Sequence, residues 1–334
     1  MTWIVYSIMD RRQSLIGLIA VAAIVACGDP AAPDPPDEVP VRTILVHRFQ
    51  SGGNMLLRSD GEPGGAFTLP GGANLIPIAS ASRGQTFAFE HGNAIVVGSL
   101  SQPTRLDTII APRPTTYVLA SFSADERLVG MVSLQPTRSL LTYDRASDRI
   151  DTLPLGDAPT PALPPVYSPD GTRVATLAFN GLSVLVTLWT VGDRTRAVTD
   201  KLSVGTAIRP PVFGWPQWTD DGLMIALLHL GFDDPDTLVV ALVDPDDPNA
   251  PMVERLRAVM APVSDERPGL IMGDNATYAL SADGRAIVLA ADPGTASGEV
   301  TLRQALYLVT EGVGRVQLLF DDPAVYPAYP LFVN

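Results

Sequence analysis

Tyr167-Ser168-Pro169-Asp170-Gly171-Thr172-Arg173-Val174-Ala175 decides the fold of this 334-residue chain. Tyr167 ends one strand. The Ser168 hydroxyl can bond the turn backbone. Asp170-Gly171 supplies the positive φ that a tight turn between strands needs. The next run, Arg173-Val174-Ala175-Thr176-Leu177-Ala178-Phe179, is apolar and β-branched, so it opens a second strand.

The same unit recurs along the chain. Phe122-Ser123-Ala124-Asp125-Glu126-Arg127-Leu128-Val129-Gly130 lacks the glycine, and Trp218-Thr219-Asp220-Asp221-Gly222-Leu223-Met224-Ile225-Ala226 lacks the proline. Leu280-Ser281-Ala282-Asp283-Gly284-Arg285-Ala286-Ile287-Val288 is a further copy. Ala79-Ser80-Ala81-Ser82-Arg83-Gly84-Gln85-Thr86-Phe87-Ala88 is a fainter one. Measured at the hydroxyl residue, successive copies lie 43, 45, 51 and 62 residues apart. Two further strand-like runs follow each copy, as Val184–Trp189 and Thr195–Thr199 follow Tyr167–Phe179. Four short strands per repeat of this length describe a blade of a β-propeller. A sandwich is the alternative for short regular strands, but it has no reason to repeat one turn five times.

An aromatic residue, Ser-Pro-Asp-Gly, then a Val-Ala strand resembles the repeat of TolB-like propellers. Tyr167–Ala175 carries the match closely, and the other copies carry it in part. The resemblance implies a propeller over most of residues 42–334, and docking on other envelope proteins.

The chain ends set the blade number. Five repeats occupy residues 74–320. Before them stand the strand-like runs Thr43–Phe49, Asn54–Arg58 and Ala66–Leu69, a blade without its first strand. The tail Val325–Val333 sits where a sixth first strand begins. The expectation is an all-β, six-bladed β-propeller of four-stranded antiparallel blades. Its C-terminal strand closes the ring against the N-terminal blade, which removes two open sheet edges.

Residues 1–26 read as a different object. Arg11 and Arg12 precede an 11-residue apolar run, Leu15–Val25, followed by Ala26, Cys27 and Gly28. This is the layout of a signal peptide, and the run is shorter than the roughly 20 residues of a membrane span. Ile24-Val25-Ala26-Cys27 resembles a bacterial lipobox, which implies cleavage before Cys27 and lipid on its thiol. A plain signal peptide with an incidental cysteine is the alternative. The arginine pair also admits a twin-arginine signal, although Ser14 stands where that signal carries a bulky apolar residue. Met9-Asp10-Arg11-Arg12 makes a more ordinary start than Met1, so translation from Met9 is expected. Residues 27–41 are rich in Pro and Asp and have little to bury, as expected of a solvated tether. In a host with enteric-style sorting, Gly28 resembles an outer-membrane address. The expected location is the cell envelope, by lipid anchor, facing the periplasm or the cell surface.

Bulk composition narrows the partners. The formal charge is −13, and removal of residues 1–26 leaves 21 basic and 35 acidic residues, a charge of −14. Such a surface repels phosphate backbones, which argues against nucleic acid. Lys201 is the sole lysine, a bias that GC-rich codon usage explains. One cysteine leaves no internal disulfide, so the fold rests on packing.

The candidate site follows from loop length. Long insertions at 230–236, 257–274 and 292–301 fall on the face opposite the Asp-Gly turns, and long loops on rigid scaffolds often bind. The candidate binding residues are Asp233, Asp234, Asp236, Asp265, Glu266 and Arg267. Solvated loops without a ligand are the alternative. The acids of 233–236 and 244–249 offer oxygen ligands for calcium, but no EF-hand loop is present and Asp-Pro is ordinary turn chemistry. No cofactor is expected. No catalytic residue is assigned, and no G-x-S-x-G elbow occurs. His47 and His229 lie in apolar strands and His91 in a turn. Trp189, Trp215 and Trp218 fit packing between blades or stacking on a sugar. The leading expectation is a non-catalytic scaffold that binds an envelope protein or a glycan. A carbohydrate-active lyase or hydrolase, with an acidic, metal-assisted site at the ring's mouth, is the alternative, and a purely structural envelope component is a third reading.

Overall fold

The repeated turns fold by one local device. In three of them a buried serine hydroxyl donates to the aspartate two residues on, at 2.5–2.6 Å (Ser123–Asp125, Ser168–Asp170, Ser281–Asp283). The same hydroxyl accepts the backbone N–H five residues on, at 2.9 Å. Gly171 and Gly284 take φ of 70° and 66°, and Glu126 holds φ 60° where the third copy lacks its glycine. The Thr219 copy differs. Thr219 pairs directly with Gly222, so only Asp220 and Asp221 form the turn.

These turns set an acid limit on stability. The Ser168 hydroxyl, with the Thr172 N–H and hydroxyl, lowers the Asp170 carboxyl to about 2. Asp125 is lowered chiefly by Ser123. Burial alone would raise Asp283, but bonds from Ser281, the Arg285 N–H and Arg42 carry it below its ordinary value. A depressed acid stabilises the fold above its unfolded pKa and loses that contribution as pH falls through the folded value. Acid unfolding followed by circular dichroism is therefore expected to develop between about pH 4 and pH 2. Ser168→Ala is expected to raise the Asp170 titration, read by NMR, and to cost about 1–3 kcal/mol.

The structure, a computed structural model, describes residues 40–48, 52–67, 76–81, 85–91, 94–110, 117–133, 137–180, 183–191, 196–203, 208–209, 213–229, 237–247, 250–259, 277–293, 303–312, 316–322 and 325–333. Residues 1–26, read above as a signal peptide, and nearly all of the expected tether, Cys27 included, lie outside them.

The described strands form six sheets. Blade one holds β1 (Thr43–Arg48), β2 (Asn54–Arg58) and β3 (Pro63–Phe67). Blade two holds β4 (Ile76–Ser80), β5 (Thr86–His91), β6 (Ala94–Ser99) and β7 (Gln102–Ile110). Blade three holds β8 (Tyr117–Phe122), β9 (Leu128–Ser133), β10 (Ser139–Asp144) and β11 (Arg149–Pro154). Blade four holds β12 (Val166–Tyr167), β13 (Arg173–Asn180), β14 (Ser183–Thr190) and β15 (Arg196–Ser203). Blade five holds β16 (Ile208–Arg209), β18 (Gln217–Thr219), β19 (Gly222–His229), β20 (Thr237–Val243) and β21 (Val253–Val259), with β17 (Phe213–Trp215) lying between β16 and β18 in sequence. Blade six holds β22 (Thr277–Leu280), β23 (Ala286–Ala291), β24 (Ala305–Thr310) and β25 (Val316–Phe320). The last strand, β26 (Pro327–Val333), pairs antiparallel with β1 and completes blade one in the order β26-β1-β2-β3. The expected closure is therefore present. The first strands touch in a cycle, β26 to β4, β8, β12, β18, then β17 to β22 and back to β26.

Blade five departs from the simple repeat. Its first strand is broken. β16 and β18 pair with β19, while the intervening β17 crosses to pair in parallel with β22 of blade six.

Alternation along the strands places one apolar cluster at each blade junction. Blades five and six share Met224, Leu238, Val240, Tyr278, Leu289 and Tyr307. Blades one and two share Leu45, Val333 and three phenylalanines, Phe67, Phe87 and Phe89, whose rings meet edge to face at 5.0 and 4.9 Å. Among the described residues, the junction of blades three and four holds only Leu140, Leu155, Ala158, Tyr167, Val174 and Trp189 as buried apolar residues.

Candidate functional site

A propeller offers its axis and its radial wedges as concave surfaces. Trp215, brought inward by β17, donates its indole N–H to the Ile78 carbonyl of blade two, 137 residues away. Beside it, Tyr167, Pro169, Trp218 and Ala282 are among the residues that line a small void of about 30 Å³, large enough to admit water. Trp189, Trp215 and Trp218 are all buried. Trp189 donates to Thr176 Oγ1 at 3.1 Å, and Trp218 packs in the junction of blades four and five beneath the Arg173 guanidinium, 5.1 Å from its ring centre. Packing is thus their role, and stacking on a sugar is not.

The wedge between blades three and four is open. It forms a cleft of about 590 Å³ at the Asp-Gly face, within the range of ligand sites. Leu128, Leu140, Leu153, Val174 and the edge of the Trp189 region form its apolar floor. The sequence explains the opening. β10 turns Leu140, Thr142 and Asp144 toward the wedge, and β11 turns Arg149, Asp151 and Leu153 toward it. Polar groups replace the bulk that three phenylalanines supply between blades one and two, so the outer half stays unfilled.

The cleft's charges are ordered. Arg127 grips Asp144 with two bonds, Nε to Oδ1 at 3.1 Å and Nη2 to Oδ2 at 2.6 Å. Asp144 Oδ1 also accepts from the N–H groups of Ala146 and Ser147. The Arg127 guanidinium, with these donors, holds the Asp144 carboxyl far below the usual range. That pair is saturated. Arg149 is exposed at the lip and makes no ion pair among the described residues. Two of the four non-glycine residues with positive φ among the described residues, Glu126 and Asp148 (φ 54°), sit in the turns beside this cleft. The Glu126 carboxylate also accepts from the Thr86 hydroxyl of blade two.

Asp233, Asp234, Asp236, Asp265, Glu266 and Arg267 are outside the described residues. The strand ends that flank them, His229, Thr237, Val259 and Thr277, lie away from the Asp-Gly turns. Among the described residues no three His, Cys, Asp or Glu side chains group as metal ligands. Asp244 accepts the N–H groups of Asp246 and Asp247 as an ordinary turn, and Asp246 pairs with Arg173. His47 is buried against Asn54 Oδ1 at 3.2 Å, and burial lowers its pKa, so it is a neutral packed side chain.

Fold and repeat together define a six-bladed β-propeller. A putative TolB from Agrobacterium tumefaciens superposes with a TM-score of 0.50 at 12% identity, over 89% of this chain and 100% of that one. A chain of a nidogen–laminin complex gives 0.54 at 10% identity, over 88% and 99%. TolB from Acinetobacter baumannii gives 0.46 at 13% identity, and the match spans 74% of this chain but only about half, 52%, of that one. At these identities the likeness is one of fold, and function has to be argued from the site. No protein-family model and no curated protein matches the sequence.

Proposed function

We propose that the chain is an exported lipoprotein, held on the cell envelope through lipid on Cys27, whose propeller is a non-catalytic scaffold that binds a partner and needs no cofactor. One observation carries the binding role: a cleft of ligand-site size, with an apolar floor and a charged rim. Rigid strands on both walls hold that cleft in shape, which lowers the ordering cost of binding. The chain of the nidogen–laminin complex, which shares the fold, comes from a protein assembly. The anchor rests on the sequence from Arg11 to Gly28, and the mature charge of −14 argues against nucleic acid as the partner.

Two measurements test this. Crosslinking in intact cells, followed by pull-down of the chain, is expected to retain a defined envelope partner. Turnover in a glycan screen would replace the scaffold with an enzyme. For the anchor, Cys27→Ala is expected to abolish incorporation of radiolabelled palmitate and to move the protein from the membrane to the soluble fraction. A membrane fraction unchanged by Cys27→Ala would refute the anchor.

A further inference from the structure

We propose that the cleft between blades three and four takes an extended peptide segment of a partner protein, one that carries an apolar side chain and, four residues on, a carboxylate. The inference rests on the reading of this cleft as the binding surface and names its ligand.

Three features converge on that ligand. β11 is the outer strand of blade three, and no described strand pairs on its far side. An edge strand of this kind can receive a further extended chain through its backbone groups, here through the carbonyls and the Ile150 N–H, since the Thr152 N–H donates to Asp151 Oδ1 at 3.0 Å and Pro154 has no donor. The side chains of Arg149, Asp151 and Leu153 alternate onto one face of β11, and all three line the cleft. Leu153 continues the apolar floor of Leu128, Leu140 and Val174, while Arg149 stands four residues away at the lip, about 13 Å along a strand. A chain laid along β11 repeats that spacing, so an apolar residue over Leu153 puts its fourth neighbour beside Arg149.

Charge selects the fourth residue. Arg127 is spent on Asp144, both of whose oxygens are occupied. Arg149 is the cleft cation without an ion pair among the described residues. A carboxylate there gains a partner, and a lysine there meets a like charge.

The test uses the full chain in mild detergent and two fluorescein-labelled peptides, Leu-Thr-Ser-Thr-Glu and Leu-Thr-Ser-Thr-Lys, with blocked ends, read by anisotropy. The Glu peptide is expected to bind at least about tenfold more tightly than the Lys peptide. Arg149→Glu, an exposed substitution, is expected to reverse that order. Leu153→Ser is expected to weaken both peptides alike. The proposal is overturned if neither peptide binds at millimolar concentration, or if both bind equally. It is also overturned if Arg149→Glu leaves their order unchanged, or if dodecanoate displaces the Glu peptide with the same dependence on Arg149, which would make a lipid the occupant. A partner still captured from crosslinked envelopes by Arg149→Glu and Leu153→Ser chains would sink this ligand while leaving the scaffold role intact.

Discussion

Deletion of residues 323–334 is expected to leave a chain that no longer melts as one cooperative unit. β26 is the first strand of blade one, supplied by the far end of the sequence. It pairs with β1 from Thr43↔Val333 to Arg48↔Pro327, with an irregularity opposite Val46. Leu331 and Phe332 belong to the junction with blade six, together with Ile44, Val288 and Leu306. Val333 belongs to the junction with blade two. One strand therefore feeds two of the six junctions, and its neighbours β22 and β4 lose contact on both sides when it goes. Burial of each large apolar side chain is worth about 1.5–3 kcal/mol, so loss of Leu331, Phe332 and Val333 together takes about 5–9 kcal/mol. That sum is comparable to the whole stability of a domain, about 5–15 kcal/mol. The deletion also exposes the edge of β1, which invites aggregation. Calorimetry of the truncated chain is expected to show no sharp transition near the wild-type midpoint. Phe332→Ala, a milder lesion of the same strand, is expected to cost about 3–5 kcal/mol. An unchanged midpoint in the truncated chain would refute ring closure by β26.

How much of this was legible in the sequence depends on the range of the interaction. The turn chemistry is local, so Ser-x-Asp-Gly gave the blade boundaries, and the unpaired strands at the two ends gave the ring. Asn54–Arg58 and the C-terminal strand follow directly from that reading. The broken strand of blade five does not. β17 leaves its own sheet because its partner, β22, lies some sixty residues on, and nothing in Phe213-Gly214-Trp215 states that pairing. The Trp215 bond to Ile78 crosses the axis and is equally invisible to a local pattern. The cleft was missed for a related reason. Sequence points to sites through what is added, such as long loops and acids, whereas this cleft exists because bulk is missing from one junction. A signal was present nonetheless. Arg149-Ile150-Asp151-Thr152-Leu153-Pro154 offers few apolar residues on either face, and the strand is exposed along most of its length.

Gly214→Ala tests the crossing strand, and it is expected to be among the most damaging single substitutions in the chain. Gly214 lies opposite Tyr278 in the parallel register of β17 and β22. A Cβ at 214 would stand 2.1 Å from Tyr278 Cε1, 2.2 Å from Cδ1 and 2.5 Å from Cζ. These are far inside van der Waals contact, so something must move. The tyrosine ring has no room to do so. It is fully buried among Met224, Ala226, Leu280 and Leu289 in the junction of blades five and six. The backbone of β17 is held as well, because the next residue is Trp215, fixed across the axis to Ile78. Ordinary overpacking costs about 1–3 kcal/mol when neighbours can yield. Here neither side yields, and a loss of about 3 kcal/mol or more is expected from urea unfolding. A second substitution separates this clash from a general weakness of the strand. Tyr278→Leu alone is expected to destabilise by loss of buried ring area, yet in combination with Gly214→Ala it removes Cε1 and Cζ, two of the three atoms that the new methyl meets. The double variant is then expected to be more stable than the sum of the two losses predicts, with a coupling of about 1–3 kcal/mol. Strict additivity would mean that β17 does not lie on β22, and the Trp215 bond to Ile78 would lose its support.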